Sequence, residues 1–377
     1  MAAEARLALL AGDGIGPEVM AAARLVLEAS GAAFDLELSF DEIPCGGRYY
    51  LEHGRDWPED AEARCAAADL LLLGAVGWPS PTGSGPVTMA NGHMAGHSAV
   101  LGNRARLDLF ANVRPIRLFE GVRPIVAGRP SEVWRPAEVD LVIVRENTEG
   151  LYVGAGGTLR PGGQPTVATD TRIVTWAGSQ RVCRVAFDLA RRRGTPKVTA
   201  VVKHNVLEGC RLFVDAFEAL GSDFPEVERE VMLVDAFALA VLQDPARFEV
   251  VVTTNLFGDI LTDLAAILQG GMGMAVGANL GHQHAMFEPV HGSAPDLAGR
   301  GVANPLAMIL ATAEALRWWG ARRGSPFEVA AAAIDAAVSE VLRRGESLPA
   351  DLTGGEGAST MTVARAVADE IQRHSAG

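Results

Sequence analysis

Residues 7–30 read LALLAGDGIGPEVMAAARLVLEAS, and the order of patterns within them decides the class of fold. The apolar run Leu7 to Leu10 suits a short buried strand, and Gly12-Asp13-Gly14 supplies a tight turn. Helical apolar spacing from Pro17 to Ser30 follows at once. Proline at a first helical position gives up no hydrogen bond, and Glu18 complements the positive end of the helix, so this pair marks its start.

Further along the chain, apolar runs at 70–73, 141–144, 198–202 and 250–253 alternate with helical patterns such as 180–193. That alternation predicts an α/β fold with a largely parallel sheet. The opening glycines do not make a Rossmann fingerprint, because its last two positions are wrong and no acid closes a second strand about 20 residues on. Ala-rich helices are expected at 305–317, 326–343 and 360–374, with a break at 345–357. Gly74 to Gly102 is rich in Gly, Pro, Ser and His without periodicity, which points to a functional loop. Around a second such stretch, Gly154 to Pro165, the flanks Leu151 to Val153 and Thr166 to Thr169 are expected to pair as strands projecting from the body.

A chain of 377 residues exceeds one domain of about 150 residues, and 49% hydrophobic content provides for more than one core. With 46 acidic against 33 basic residues the net charge is −13, which argues against nucleic acid and anionic membranes as partners. The longest apolar stretches, 66–76 and 236–242, fall short of the ~20 residues of a membrane span, and no secretory signal is visible. Cys45, Cys65, Cys183 and Cys210 form no CxxC pair and have no ligand spacing to a histidine, so a reducing, cytoplasmic setting is expected.

Among the 33 basic residues only Lys197 and Lys203 are lysines. A partly buried lysine can lose its proton where arginine cannot, so its retention at Lys203, in Val-Val-Lys-His-Asn, hints at proton chemistry. Tyr152 is one of three tyrosines and follows Arg-Glu-Asn-Thr-Glu-Gly after a buried run, a place for an acid or a hydrogen-bond donor. Asp259 and Asp263 stand i,i+4 on one helix face, where they repel unless a cation intervenes. With Asp235 after the run 231–234 they make the few-carboxylate set that Mg²⁺ or Mn²⁺ prefers. Taken alone, such a pair is more often a solvated face. Arg104, Arg114 and Arg145 are placed to converge at strand ends, where planar guanidinium forks suit carboxylates, although each singly is more often a surface residue. His291, Asp296 and Asn304 lie in a Gly/Pro-structured loop that suits an adenine and a ribose as well as it suits an ordinary helix entry.

Several segments together resemble the β-decarboxylating dehydrogenase family of isocitrate, 3-isopropylmalate, homoisocitrate and tartrate/malate dehydrogenases. GDGIGPEV (12–19), DLFANVRP (108–115), VRENTEGLY (144–152), VKHNVL (202–207), NLFGDILTDLAA (255–266), EPVHGSAPD (288–296) and VANP (302–305) occur in family order. The resemblance implies a two-domain, non-Rossmann α/β fold, with a discontinuous cofactor-side domain at 1–109 and 270–377. The inserted domain at 110–269 would carry the dimer contacts and a β-arm near 150–175. It implies Arg104, Arg114 and Arg145 on the malate carboxylates, Ser98 on the substrate, and Asp235, Asp259 and Asp263 on Mg²⁺ or Mn²⁺. It assigns His291, Gly292, Ala294, Asp296 and Asn304 to the cofactor, with Asp296 favouring NAD over NADP. Lys203 would take the substrate hydroxyl proton and Tyr152 return a proton after decarboxylation. Lys203 and Asp235 would reach into the neighbouring subunit's site, which makes a homodimer a condition of activity.

Substrate choice in the family rests on the segment before Arg104, here His97-Ser-Ala-Val-Leu-Gly-Asn. Ser98 matches isocitrate enzymes, Val100 departs from them and Leu101 matches isopropylmalate enzymes. VRENTEGLY is nearest to homoisocitrate and NAD-isocitrate types. An NAD-dependent oxidative decarboxylation of a 3-substituted malate with a polar substituent, phosphonate included, is therefore expected. The alternatives are 3-isopropylmalate or tartrate/malate dehydrogenation and, from another class, a non-catalytic regulatory subunit.

Overall fold

The computed structural model describes residues 3–194 and 197–375. The chain forms two units, one of Met1–Leu109, Arg117–Pro136 and Ala266–Gly377, the other of Phe110–Ile116 and Ala137–Ala265. Arg117–Pro136, expected within the inserted part, groups with the larger unit. The apolar side chains of Leu118, Phe119 and Val122 are buried there, and Val122 and Leu352 both lie against Gly270.

In the larger unit the strands run in the order Val276–Leu280, Ala285–Pro289, Leu70–Ala75, Ala3–Gly12, Leu36–Glu42. Only the first pair is antiparallel among those whose register is given. Leu70–Ala75 is buried at every position, as a strand covered on both faces must be. The expected strand, turn and helix follow one another, with Pro17 in the first turn of the helix Gly16–Phe34. The turn is shaped for close backbone packing: Gly14 has φ +59°, and a Cβ there would collide with the carbonyl of Ser293. One expectation fails, since the second strand does end in acids, Asp41 and Glu42. They pair with Arg64 and Arg24. The helix Leu306–Arg323 is buried around most of its circumference, a core helix rather than an amphipathic one.

In the smaller unit the order is Glu228–Leu233, Lys197–Val202, Val250–Thr253, Asp140–Glu146, Ala111–Arg117. The helices Trp176–Arg193 and Glu208–Gly221 meet through Phe187, which stacks on Phe217 at 5.1 Å and on Phe224 at 5.0 Å. The expected strand pairing around 154–165 exists with shifted strands, Gly156–Leu159 antiparallel to Val167–Asp170. Leu151–Val153 forms a 3₁₀ turn instead, because it is bracketed by Gly150 and Gly154, both at positive φ.

Candidate active site

Most of the chemistry-bearing residues lie in the smaller unit. The strand Asp140–Glu146 carries Arg145 into the interior at 1% exposure, and a guanidinium there needs partners on its polar edges. Its Nε and Nη2 donate to Asn255 Oδ1 at 3.0 and 2.7 Å, and Nη1 donates to Asp259 Oδ1. Gly258, between these two partners, leaves room for the Arg145 stem, since a Cβ there would lie 2.6 Å from Arg145 Cβ and Cγ.

Asp259 and Asp263 sit one turn apart on the helix Asn255–Ala265. Arg114, 5% exposed, donates from Nη1 to Asp263 Oδ1 at 3.3 Å and to Thr262 Oγ1, and from Nη2 to Asp259 Oδ1 at 3.5 Å. The repulsion between the two carboxylates is thus met by two guanidinium groups. Burial pushes the Asp263 carboxyl above its ordinary range, with Arg114 pulling the other way. Tyr152 donates its hydroxyl to Asp259 Oδ2 at 2.9 Å and lies 5.6 Å beneath the Arg145 guanidinium.

Lys203 and Asp235 stand together, with Nζ donating to Oδ1 at 2.6 Å, and this bond holds the Asp235 carboxyl below the usual carboxylate range. Among the described residues no three His, Cys, Asp or Glu side chains are gathered as metal ligands. Within one chain Asp235 is therefore with Lys203 and not with Asp259 and Asp263. The aspartate pair nevertheless fits Mg²⁺ or Mn²⁺, hard cations that take one or two protein carboxylates and keep positions for water and substrate oxygens.

The larger unit holds the remaining candidates. Arg104 is 8% exposed and donates from Nη2 to Glu288 Oε1 at 2.8 Å. Ser98 starts the turn that leads to Arg104. Its N–H donates to Asp56 Oδ2 at 2.9 Å, and its carbonyl accepts from Arg106. A cavity of about 750 Å³ is lined by Ile15, His291, Leu297, Asn304 and Asp351 among others. The Nε2 of His291 is buried with no hydrogen-bond partner among the described residues, and burial lowers the pKa of this ring below the ordinary histidine value. An open cleft of this size beside an orphaned ring nitrogen fits the adenosine half of a dinucleotide. Gly292, Ala294 and Asp296 are not among the residues lining the cavity, and Gly292 and Asp296 are exposed.

Sequence reasoning missed Asp351 and Ser293. Burial raises the Asp351 carboxyl, which accepts from Asn304 at 3.1 Å, and the carbonyl of Ser293 accepts from the N–H of Ile15 at 2.8 Å. Asp351 stands in no quoted motif, and Ser293, although within EPVHGSAPD, is set against Ile15 only by tertiary packing.

Guanidinium forks set against a carboxylate pair, with a lysine and a phenol in the same unit, are groups suited to holding a carboxylate and moving a proton. A family model described as isocitrate/isopropylmalate dehydrogenase matches residues 6–367, and the chain belongs to that family. It is 38% identical to 3-isopropylmalate dehydrogenase of Archaeoglobus fulgidus over 364 residues, covering 96% of this chain and 98% of that one. To the 3-isopropylmalate dehydrogenase of Streptomyces coelicolor it is 41% identical, with 94% and 96% covered. The crystal structure of isocitrate dehydrogenase from Methylococcus capsulatus superposes with a TM-score of 0.84 at 36% identity, covering 98% of this chain and 99% of that one. The chain is a decarboxylating hydroxy-acid dehydrogenase, and its family works with NAD and Mg²⁺ or Mn²⁺.

Proposed function

We propose that this dehydrogenase acts on a 3-substituted malate whose substituent is polar, of the isocitrate or homoisocitrate kind and extending to a phosphonate. The observation that carries the reaction is the cluster of Arg114, Arg145, Tyr152, Asp259 and Asp263. It joins carboxylate-binding forks, a divalent-ion pair and a proton donor in one unit. When bound, the divalent ion supplies a Lewis acid at the C2 hydroxyl and NAD supplies the hydride acceptor. Arg104, Arg114 and Arg145 hold the malate carboxylates. Lys203 takes the hydroxyl proton as C2 is oxidised, and after carbon dioxide leaves, Tyr152 protonates C3.

The substituent is read from the approach to Arg104, where Ser98 is half-buried and His97 stacks on His93 with ring centroids 4.2 Å apart. A second reading, 3-isopropylmalate, is favoured by the names of the curated relatives and by Val100 and Leu101. A homodimer with shared sites is supported by the Lys203–Asp235 pair standing apart from the other two aspartates. Exposed apolar side chains, Leu239 at 60% and Ile260 at 58%, support it as well.

Purified protein with Mn²⁺ and NAD, offered malate, tartrate, isocitrate, homoisocitrate, 3-isopropylmalate and phosphonomethylmalate, tests the reading through NADH formation. The highest kcat/KM is expected on an isocitrate-type or phosphonate substrate, and a best rate on isopropylmalate moves the assignment to the second reading. No turnover on any of them, with a partner subunit's activity raised on addition, makes the chain a regulatory subunit.

A further inference from the structure

Asn255 opens the helix that carries Asp259, is 1% exposed, and uses both ends of its amide. Its Oδ1 accepts two hydrogen bonds from Arg145, at 3.0 and 2.7 Å, and its Nδ2 donates to the backbone carbonyl of Glu149 at 2.8 Å. Glu149 begins the short loop that ends in Tyr152. Tyr152 bonds to Asp259 at 2.9 Å, and Asp259 accepts from Arg145. The contacts therefore close a ring: loop 149–152, the Tyr152 phenol, the Asp259 carboxylate, the Arg145 guanidinium, the Asn255 amide and back to the loop. Gly150 lies against this amide, with its Cβ position 3.1 Å from Asn255 Cβ. The same starting end of the loop is also tied by Glu146, whose carboxylate accepts from the N–H groups of Thr148 and Glu149, both at 2.8 Å.

The geometry assigns Asn255 as a positioning residue that sets the Arg145 fork and the Tyr152 phenol together, so that substrate binding and the final protonation share one support. This rests on the roles proposed above for Arg145 and Tyr152. Only an amide satisfies both neighbours. A carboxylate in its place still accepts from Arg145 but sets oxygen against the Glu149 carbonyl, and a methyl group loses both links. At the start of a helix an aspartate is well tolerated, so Asn255→Asp is expected to fold.

The test compares the wild type, Asn255→Asp and Asn255→Ala with Mn²⁺, NAD and the best substrate of the malate panel. In Asn255→Asp the KM for the malate is expected to stay within about twofold while kcat falls at least tenfold, because the fork is kept and the phenol is displaced. In Asn255→Ala both parameters are expected to worsen. A readout independent of turnover comes from 3-fluorotyrosine labelling, since the chain has three tyrosines and Tyr49 and Tyr50 lie in the other unit. The fluorine resonance lost in Tyr152→Phe should move in Asn255→Asp while the other two stay in place. An unmoved Tyr152 resonance, or a kcat and KM both like the wild type, overturns the assignment. A wild type inactive on every malate sinks the functional reading instead, and the fluorine shift then still decides whether Asn255 places the phenol.

Discussion

At the scale of single residues, Lys203 and Tyr152 carry little packing, so substitutions there isolate the proton roles proposed for them. Lys203 is 30% exposed at its side chain and Tyr152 is 42% exposed, so neither contributes much burial energy. Lys203→Met and Tyr152→Phe should therefore unfold at nearly the wild-type urea concentration while turnover drops about 10²- to 10⁴-fold, the range for losing a positioned proton-transfer group. Rates close to wild type would remove both from their proton roles. His291 behaves in the opposite way, being held neutral by burial. Its folded pKa lies below the unfolded one, so its contribution to stability is present above the ordinary histidine value of about 6.5 and is lost as pH falls below it. Urea unfolding at pH 7.5 and 5.5 should show a smaller loss on acidification in His291→Gln than in the wild type; equal losses would mean that another group sets the slope.

At the scale of elements, the helix Trp176–Arg193 shows a start set by one side chain: Thr175 accepts from the N–H of Gly178 at 3.0 Å, and its own N–H is taken by Glu149. Removing the cap in Thr175→Ala should cost about 1 kcal/mol, read from the denaturation midpoint, and no change would mean that Glu149 alone holds this end. Gly74 to Gly102, which the sequence presents as a functional loop without periodicity, is stapled near both ends by buried carboxylates. Asp13 accepts from the N–H of Gly77 at 3.0 Å, and Asp56 accepts from those of Gly96 and Ser98 at 3.0 and 2.9 Å. Composition announced the absence of regular structure there, but the acids that order it lie 40 or more residues away in sequence. The strand Leu36–Glu42 is polar enough to show no apolar run, which its edge position in the sheet allows; Glu228–Leu233 shows only its second half, in the run 231–234.

At the scale of the whole molecule, the proposed sharing of sites makes a prediction that no single chain can satisfy. Lys203→Met and Tyr152→Phe homodimers should each be nearly inactive, yet after joint unfolding and refolding the mixed dimer has one site with an intact Tyr152 and its partner's Lys203. Recovery of about a quarter of wild-type activity is the expected outcome, since half of the dimers are mixed and each has one good site of two. No recovery, or a monomer by sedimentation, sinks the shared-site arrangement.

The chain's own residue order settled the α/β class, the strand, turn and helix at its start, and the carboxylate pair on the helix Asn255–Ala265. These are local matters, fixed by periodicity, by turn chemistry and by spacings of four residues. Tertiary structure alone decided that Arg145 is buried between Asn255 and Asp259, more than 100 positions away, and that Arg104 pairs with Glu288 at a separation of 184. It also decided that Asp235 stands with Lys203. Such pairings depend on which strand ends lie side by side, and a buried charge takes whatever partner the fold brings within reach.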